Sequence, residues 1–418
     1  MRRMAFPILA GLILAAGCGS AAAPGRPPAA RLLRGVAADE PSADPRPYGA
    51  ADTAFGLDLL GAWCGQDPDA NIVFSPESLA SGLGMAYLGA RGSTARAMAS
   101  VLHLPATGQT LVAGLHARSR ALRSLDGPGV TLASTDQLWS DPSLSVLPGY
   151  LNALVSGYDA GVRQVPLLTD PASAAAQINA AVGAATRGHI PHLLTAGDLN
   201  QSGWVLTDVL YLDADWAAPF EASRTTQGTF TTAAGQQVTA SFLNGGSFPF
   251  TTADGWTGVS LPYRGGKLSL IALLPDAGSR GCPSLPASTL TTLMNALAGS
   301  GEHAAVALPK VSLQSSASLR SLLTTLGMGV AFSQGEADFS GLSPAACCIA
   351  MVMHAATLDI GEKGTVGSAA TAVGIQPLVS VARPARVITF DRPYLLLVTD
   401  TSTGEPLFLA RVADAVAG

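Results

Sequence analysis

The stretch "GEKGTVGSAATAVG" (361–374) lies between apolar, alternating segments, and after Lys363 no charge occurs until Arg383. Read on to the next strand-like run, residues 364–385 form a connection longer than the roughly 12–15 residues beyond which loops in compact domains are uncommon, and usually functional or disordered. Its first half lacks the charges and prolines that keep disordered linkers solvated. Alternate residues Thr365, Gly367, Ala369, Thr371, Val373 and Ile375 are uncharged, and the first four are small. The other set is Val366, Ser368, Ala370, Ala372 and Gly374. A period of two with one small, uncharged face is what a strand needs to enter a crowded sheet. Taken alone, the segment reads equally well as an Ala/Gly-rich exposed loop and as a strand in waiting.

Outward from it, the pattern is mixed. "DTAFGLDLLGAW" (52–63) has apolar residues at helical spacing, and "NIVFSPESLASGLGMAYLG" (71–89) is a short strand, a turn at Ser75-Pro76, then a helix. "AQINAAVGAATRG" (176–188) is a helix stopped by Gly188, and "GWVLTDVLYLDADW" (203–216) a long strand. "GVSLPYRGGKLSLIALLPD" (258–276) is a hairpin turning at Arg264-Gly265-Gly266. "SASLRSLLTTLGMG" (316–329) predicts a helix with leucines on one face. Strands follow at 351–360, 386–390, 394–400 and 406–412. With no repeat and no second linker, the chain predicts one large α+β domain.

The N-terminus predicts export. In "MRRMAFPILAGLILAAGC" two arginines precede an apolar run too short to span a bilayer, in the three-part layout of a secretory signal. Cys18 after "LAAG" resembles a relaxed bacterial lipobox, the alternative being an ordinary cleaved signal. Residues 19–48, rich in Ala, Pro, Gly and Arg, read as a flexible tether, with the folded domain at 49–418. Cys64, Cys282, Cys347 and Cys348 remain, and their spacing leaves bridges and buried free thiols both open.

Of the 418 residues 48% are hydrophobic and 13% charged, and the net charge of −5 gives no nucleic-acid footprint. No serine occupies a G-x-S-x-G elbow. The three lysines (267, 310 and 363) follow Arg264, Ala307 and Ile360 at three residues' distance, which excludes an S-x-x-K signature. The histidines form no H-E-x-x-H pair, and His189 and His192 have no third ligand beside them. Arg118, Arg120 and Arg123 share a helix and read as a solvated face. No enzyme, metal or cofactor motif stands out.

Eight segments in order resemble the serpins over about residues 52–413. "NIVFSPESLASGLGMAYLGARGST" is similar to the family's N-I-x-x-S-P-x-S-I element, and "INAAVGAATRGHI" to its I-N-x-W-V-x-x-x-T-x-G-x-I, with Gly183 near the expected Trp. "VLYLDADWAAPF", "LPYRGGKLSLIALLPD", "LPKVSL", "LGMGVAFSQGEADFSGLS", "MHAATLDIGEKGT" and "FDRPYLLLVTDTSTGEPLFLARV" follow.

The resemblance implies an α+β serpin fold with three β-sheets, about eight or nine helices, and an exposed reactive-centre loop at about 362–386. It implies a monomer that forms a covalent complex with a serine endopeptidase, or a papain-like cysteine one, with no catalytic residues of its own. The cut loop inserts into the large sheet and traps the acyl-enzyme, serpin loop insertion being a standard example of such a switch. By position, Glu362, Lys363, Gly364, Thr365, Val366, Gly367, Ser368, Ala369, Ala370 and Thr371 are the hinge. The cut is expected at Leu378–Val379, which suits a chymotrypsin- or elastase-like enzyme. Ser75, Ser78, Asp208, Trp216 and His354 match the shutter and breach beneath the opening sheet. Asp208 stands where an Asn is usual, Gly367 and Ser368 where alanines are usual, and Ala410 where a glycine is usual. Asp208 would put a carboxylate beside His354 and could make sheet opening pH-sensitive. A Gly at 367 can insert but disfavours the strand. The competing reading is a serpin-fold binding protein whose loop is cleaved as a plain substrate.

Overall fold

The computed structural model describes residues 30–134, 137–199, 203–279, 281–299, 301–365 and 386–417. One sheet runs in the order β1 (Arg31–Leu33), β5 (Val162–Gln164), β4 (Gln137–Ser140), β6 (Trp204–Asp215), β14 (Gly364–Thr365), β13 (Val352–Ile360) and β12 (Val311–Ser318), with β3 (Val130–Ser134) also on β6. The other runs β15 (Val387–Thr389), β11 (His303–Pro309), β8 (Gln237–Ala253), β9 (Trp256–Pro262), β10 (Leu268–Pro275), β16 (Tyr394–Asp400), β17 (Pro406–Val412) and β2 (Ile72–Phe74), with β7 (Thr226–Thr231) on β8. The 17-residue β8 pairs with β11 through one half and β9 through the other, so the expected second and third sheets join through it.

The sheets bury a common core that includes Leu212, Ala214, Tyr263, Leu270, Leu358, Leu396 and Phe408. Eight α-helices are present among the described residues. They are α1 (Arg46–Gln66), α2 (Pro76–Gly89), α3 (Gly92–Val101), α4 (Gly108–Arg123), α5 (Pro148–Tyr158), α6 (Pro171–Ala185), α7 (Ala287–Leu297) and α8 (Arg320–Leu323). α1 and α2 bury Phe55, Leu59 and Leu83 in a second core with Leu395, Leu397 and Leu409, the opposite faces of β16 and β17. The start of α2 is set locally: Ser75 Oγ accepts the Ser78 N–H at 3.0 Å, and Pro76 occupies the first turn. The β9–β10 turn uses the positive φ of Gly265 (+83°) and Gly266 (+70°).

Two expectations need revision. Of the helix expected over 316–329, residues through Ser318 belong to β12, paired with β13, and α8 covers only 320–323 before irregular turns in which Gly327 takes φ +111°. Cross-strand pairing outweighs the leucine period there. Nor is the chain free up to residue 48. Arg31–Leu33 complete the exposed edge of β5, Val36 N–H donates to Asn152 Oδ1 (2.8 Å), Ala38 N–H to Ser156 Oγ (2.9 Å), and α1 already begins at Arg46. Both alternatives left open for the cysteines occur: Cys64 on α1 is bonded to Cys282, while Cys347 and Cys348 are free thiols.

Candidate functional site

β6 and β13 are parallel neighbours. Toward the start of both strands they pair directly, Leu206 with Val352 through Val209 with Ala355. Toward their ends they part, and the two residues of β14 sit between them, antiparallel to both. Thr365 faces Ala214 on one side and Ile360 on the other.

Each residue around this wedge has a fixed task. Glu362 receives hydrogen bonds from Lys310 Nζ (2.9 Å to Oε2) and Thr225 Oγ1 (3.0 Å), and its carbonyl accepts the Phe220 N–H at 2.8 Å. Partial burial opposes its ionisation, but the bonds from Lys310 and Thr225 prevail and hold its carboxyl below the ordinary value. The Lys363 carbonyl accepts the Trp216 N–H (2.8 Å), and the Trp216 indole donates to the Gly361 carbonyl (2.9 Å). Gly364 passes so close to β6 that a Cβ there would overlap the Ala214 carbonyl. Thr365 is 1% exposed, and its hydroxyl bonds that of Tyr263. Tyr263 stacks on Trp216 with centroids 4.5 Å apart. Trp216, one of the residues assigned by resemblance to the shutter and breach, thus touches the wedge through Gly361, Lys363 and Tyr263. Tyr263, Lys310 and Thr225 were missed by sequence reasoning. The only signal was an aromatic residue closing a strand at a glycine turn, too common to assign.

Further down the seam, where β6 still touches β13, His354 lies opposite Asp208. The Ser75 N–H donates to His354 Nε2 (3.2 Å), so the ring proton is on Nδ1, which donates to Asp208 Oδ1 at 3.3 Å. Ser78 Oγ donates to the same carboxylate oxygen. All four residues are buried. Asp208 Oδ2 is also buried and has no hydrogen-bond partner among the described residues. The expected shutter residues thus form one network tying α2 to both strands of the seam.

A charged cluster lies behind it and revises the view of Arg118 as part of a solvated face. Arg118 is 2% exposed and touches three buried carboxylates, Asp52 of α1, Glu77 of α2 (3.4 Å) and Glu405 (3.1 Å) at the entry to β17. It also donates to Ser81 Oγ (2.7 Å), and Ser81 donates to Glu77 (2.9 Å). One cation cannot neutralise three carboxylates. Burial pushes the Glu77 carboxyl up to about 7 and the Asp52 carboxyl well above its usual range, against the pull of Arg118. Arg120 and Arg123 are exposed as expected.

Of the remaining expected site residues, Val366, Gly367, Ser368, Ala369, Ala370, Thr371, Leu378 and Val379 lie outside the described residues, as does Cys18. Gly367 and Ser368, the two hinge departures, are among them. Among the described residues no group of His, Cys, Asp and Glu could hold a metal ion, and no helix is long and apolar enough to cross a membrane.

The mixed sheet thus holds the first two residues of a long connection between two of its parallel strands. Residues 50–415 match the serpin (serine protease inhibitor) family model, and the chain belongs to that family. It is 31% identical over 373 residues to an uncharacterized serpin-like protein of Thermococcus kodakarensis, covering 88% of this chain and 86% of that one. It is 30% identical over 381 residues to leukocyte elastase inhibitor A of Mus musculus, covering 87% and 98%. Among solved structures, native tengpin, a thermophilic serpin, superposes with a TM-score of 0.77 at 22% identity, covering 92% of this chain and all of that one.

Proposed function

We propose that this serpin is a suicide-substrate inhibitor of serine endopeptidases of the chymotrypsin or elastase type. The protease attacks the Leu378–Val379 bond. The segment on the hinge side then enters the slot between β6 and β13 before the acyl-enzyme hydrolyses, and the protein itself supplies no catalytic group.

One observation carries this reading: Gly364 and Thr365 are already paired between β6 and β13, and their register agrees with the direct pairing of those two strands. Each residue forward from Thr365 corresponds to one residue back along each neighbour. Continued in this way, residue 370 meets Val209 and Ala355, a pair already in register, and Thr371 meets Asp208 and His354. The side chains sharing Thr365's face would be Gly367, Ala369 and Thr371, set against Leu212 and Leu358, Leu210 and Ala356, then the shutter. This is the uncharged face of the sequence alternation. The inhibitory name of the mouse relative supports the same reading.

The test is to mix the full chain with chymotrypsin and with pancreatic elastase and look for a covalent complex that survives SDS. Cleavage near Leu378 with no complex and no rise in Tm would leave the alternative, a serpin-fold protein cleaved as a simple substrate.

We also propose that the chain is exported and anchored to a bacterial membrane surface through a lipid on Cys18. The support is the charged-then-apolar layout of residues 1–18. Cells fed labelled palmitate should label the wild type and not Cys18→Ala. Cleavage without label would indicate an ordinary secretory signal.

A further inference from the structure

Cys347 and Cys348 are adjacent in a segment without regular structure that leads from the turns after α8 into β13. Cys347 is exposed and Cys348 half-buried, and their sulfurs lie 3.1 Å apart. The segment is pinned on both sides: Ala346 N–H donates to the Ser343 carbonyl (3.1 Å) and Ile349 N–H to the Ala331 carbonyl (2.9 Å). The two thiols are therefore held together by the fold as well as by their shared peptide bond, about 1 Å short of the approach a disulfide requires. The serpin mechanism uses neither of them, and Cys64 and Cys282 are already bonded to each other.

We propose that Cys347 and Cys348 form a reversible dithiol–disulfide site, oxidised by a low-molecular-weight disulfide, at the entry to β13.

The two thiols are unequal, which sets the order of the steps. Burial, and Cys347 alongside, push the Cys348 thiol up to about 11, whereas Cys347 meets solvent. Cys347 as thiolate attacks one sulfur of the small disulfide, forms a mixed disulfide and releases one thiolate. The released thiolate takes the proton from Cys348, whose sulfur attacks that of Cys347 and expels the second half of the oxidant as a thiolate, which takes up the proton that Cys347 gave to solvent. Two protein thiols lose two electrons, and one small disulfide gains them as two thiols. Neighbouring residues have Cα atoms about 3.8 Å apart, below the separation usual for a bridge, so the ring is strained and readily reopened by excess thiol. The product is a labile bond, unlike the structural bridge between α1 and Cys282.

The test treats the full chain with oxidised glutathione, blocks remaining thiols with iodoacetamide, and reads the peptide carrying residues 347–348 by mass spectrometry without reduction. The expected wild-type product is two hydrogens lighter than the dithiol, carries no alkyl group or glutathione, and reverts with reduced glutathione. Cys348→Ser, at a half-exposed position, should stop at a glutathione adduct on Cys347. The proposal is overturned if the wild type accumulates that same adduct, keeps both thiols alkylatable, or links two chains.

Discussion

Thr365 shows how much one side chain decides. It is the last described residue before the loop, buried against Ala214 and Ile360 and bonded to Tyr263. A charge there must either be desolvated, at a cost of several kcal/mol, or keep β14 out of the slot. Thr365→Arg is expected to fold, to be cut by the protease, and to give at least about tenfold less SDS-stable complex, since each 1.4 kcal/mol is worth tenfold. Unchanged complex yield would show that the strand does not enter by this residue. Glu77 makes a second prediction at this scale, and its sign is unusual. A carboxyl raised from 4.5 to about 7 holds, in the native state, a proton that the unfolded chain has released. Its stabilising contribution is full below the unfolded value and is lost as pH rises to about 7. Glu362, with its lowered carboxyl, runs the other way and loses its contribution only as pH falls below the ordinary carboxylate range. Tm should therefore fall between about pH 4.5 and 7, and Glu77→Gln, which can still accept from Ser81, should flatten the fall. A wild-type Tm that climbs through this interval would mean the cluster stays ionised. These residues were unequally legible in the sequence. The uncharged alternation that includes Thr365 is local, so it could be read directly. The partners of Arg118 stand at 52, 77 and 405, so only the fold could reveal that this arginine is buried while Arg120 and Arg123 on the same helix are solvated.

At the scale of elements, β14 is a two-residue strand kept in place by backbone geometry. Gly361 N–H donates to the Gly364 carbonyl at 3.0 Å, and Trp216 closes the corner from both its backbone and its indole. Gly364→Ala would push a methyl group into the Ala214 carbonyl, an overlap costing about 1–3 kcal/mol. The intact variant is expected to melt a few degrees lower and to lose protection at the Trp216 amide in hydrogen exchange. Gly361→Ala, where the added carbon meets nothing within 4 Å, serves as the control and should leave both unchanged. Equal effects from the two would show that the close approach is not what holds the wedge. Elements were legible wherever their signals were internal. The Ser75-Pro76 cap, the turn at Gly265-Gly266 and the long apolar β6 all carry their own instructions. Where an element depends on a distant neighbour, the local reading failed. Residues 316–318 have a helical leucine period next to them yet pair with β13, and residues 31–33 have no strand signal yet complete the edge of β5.

At the scale of the molecule, the proposed function requires the sheet to admit a further strand from its own chain. Inserting a strand between β6 and β13 breaks one short ladder, Leu206–Val209 against Val352–Ala355, and makes two longer ones. In the proposed register it would also set the methyl of Ala369 against Leu210 and Ala356, which together with the two ladders would favour the inserted state. On the proposed mechanism, ordering the loop and displacing the direct β6–β13 pairing would slow insertion, so that deacylation competes with it. A protease is trapped only if insertion wins that competition, so small changes in strand propensity should appear as changes in yield. Gly367 is the residue to change. In the proposed register it faces Leu212 and Leu358, with no side chain of its own to pack against them, and a glycine within a strand weakens it. An alanine there removes about 1 kcal/mol of backbone entropy cost and adds a methyl to an apolar face. If insertion is rate-limiting, Gly367→Ala should lower the number of inhibitor molecules cleaved without trapping, for each protease trapped, by about fivefold, the factor corresponding to that energy. The second-order rate of loop attack, set before insertion begins, should not change. An effect on attack alone would place the decisive step at recognition of the loop, and the strand-accepting sheet would then play no part in setting the outcome.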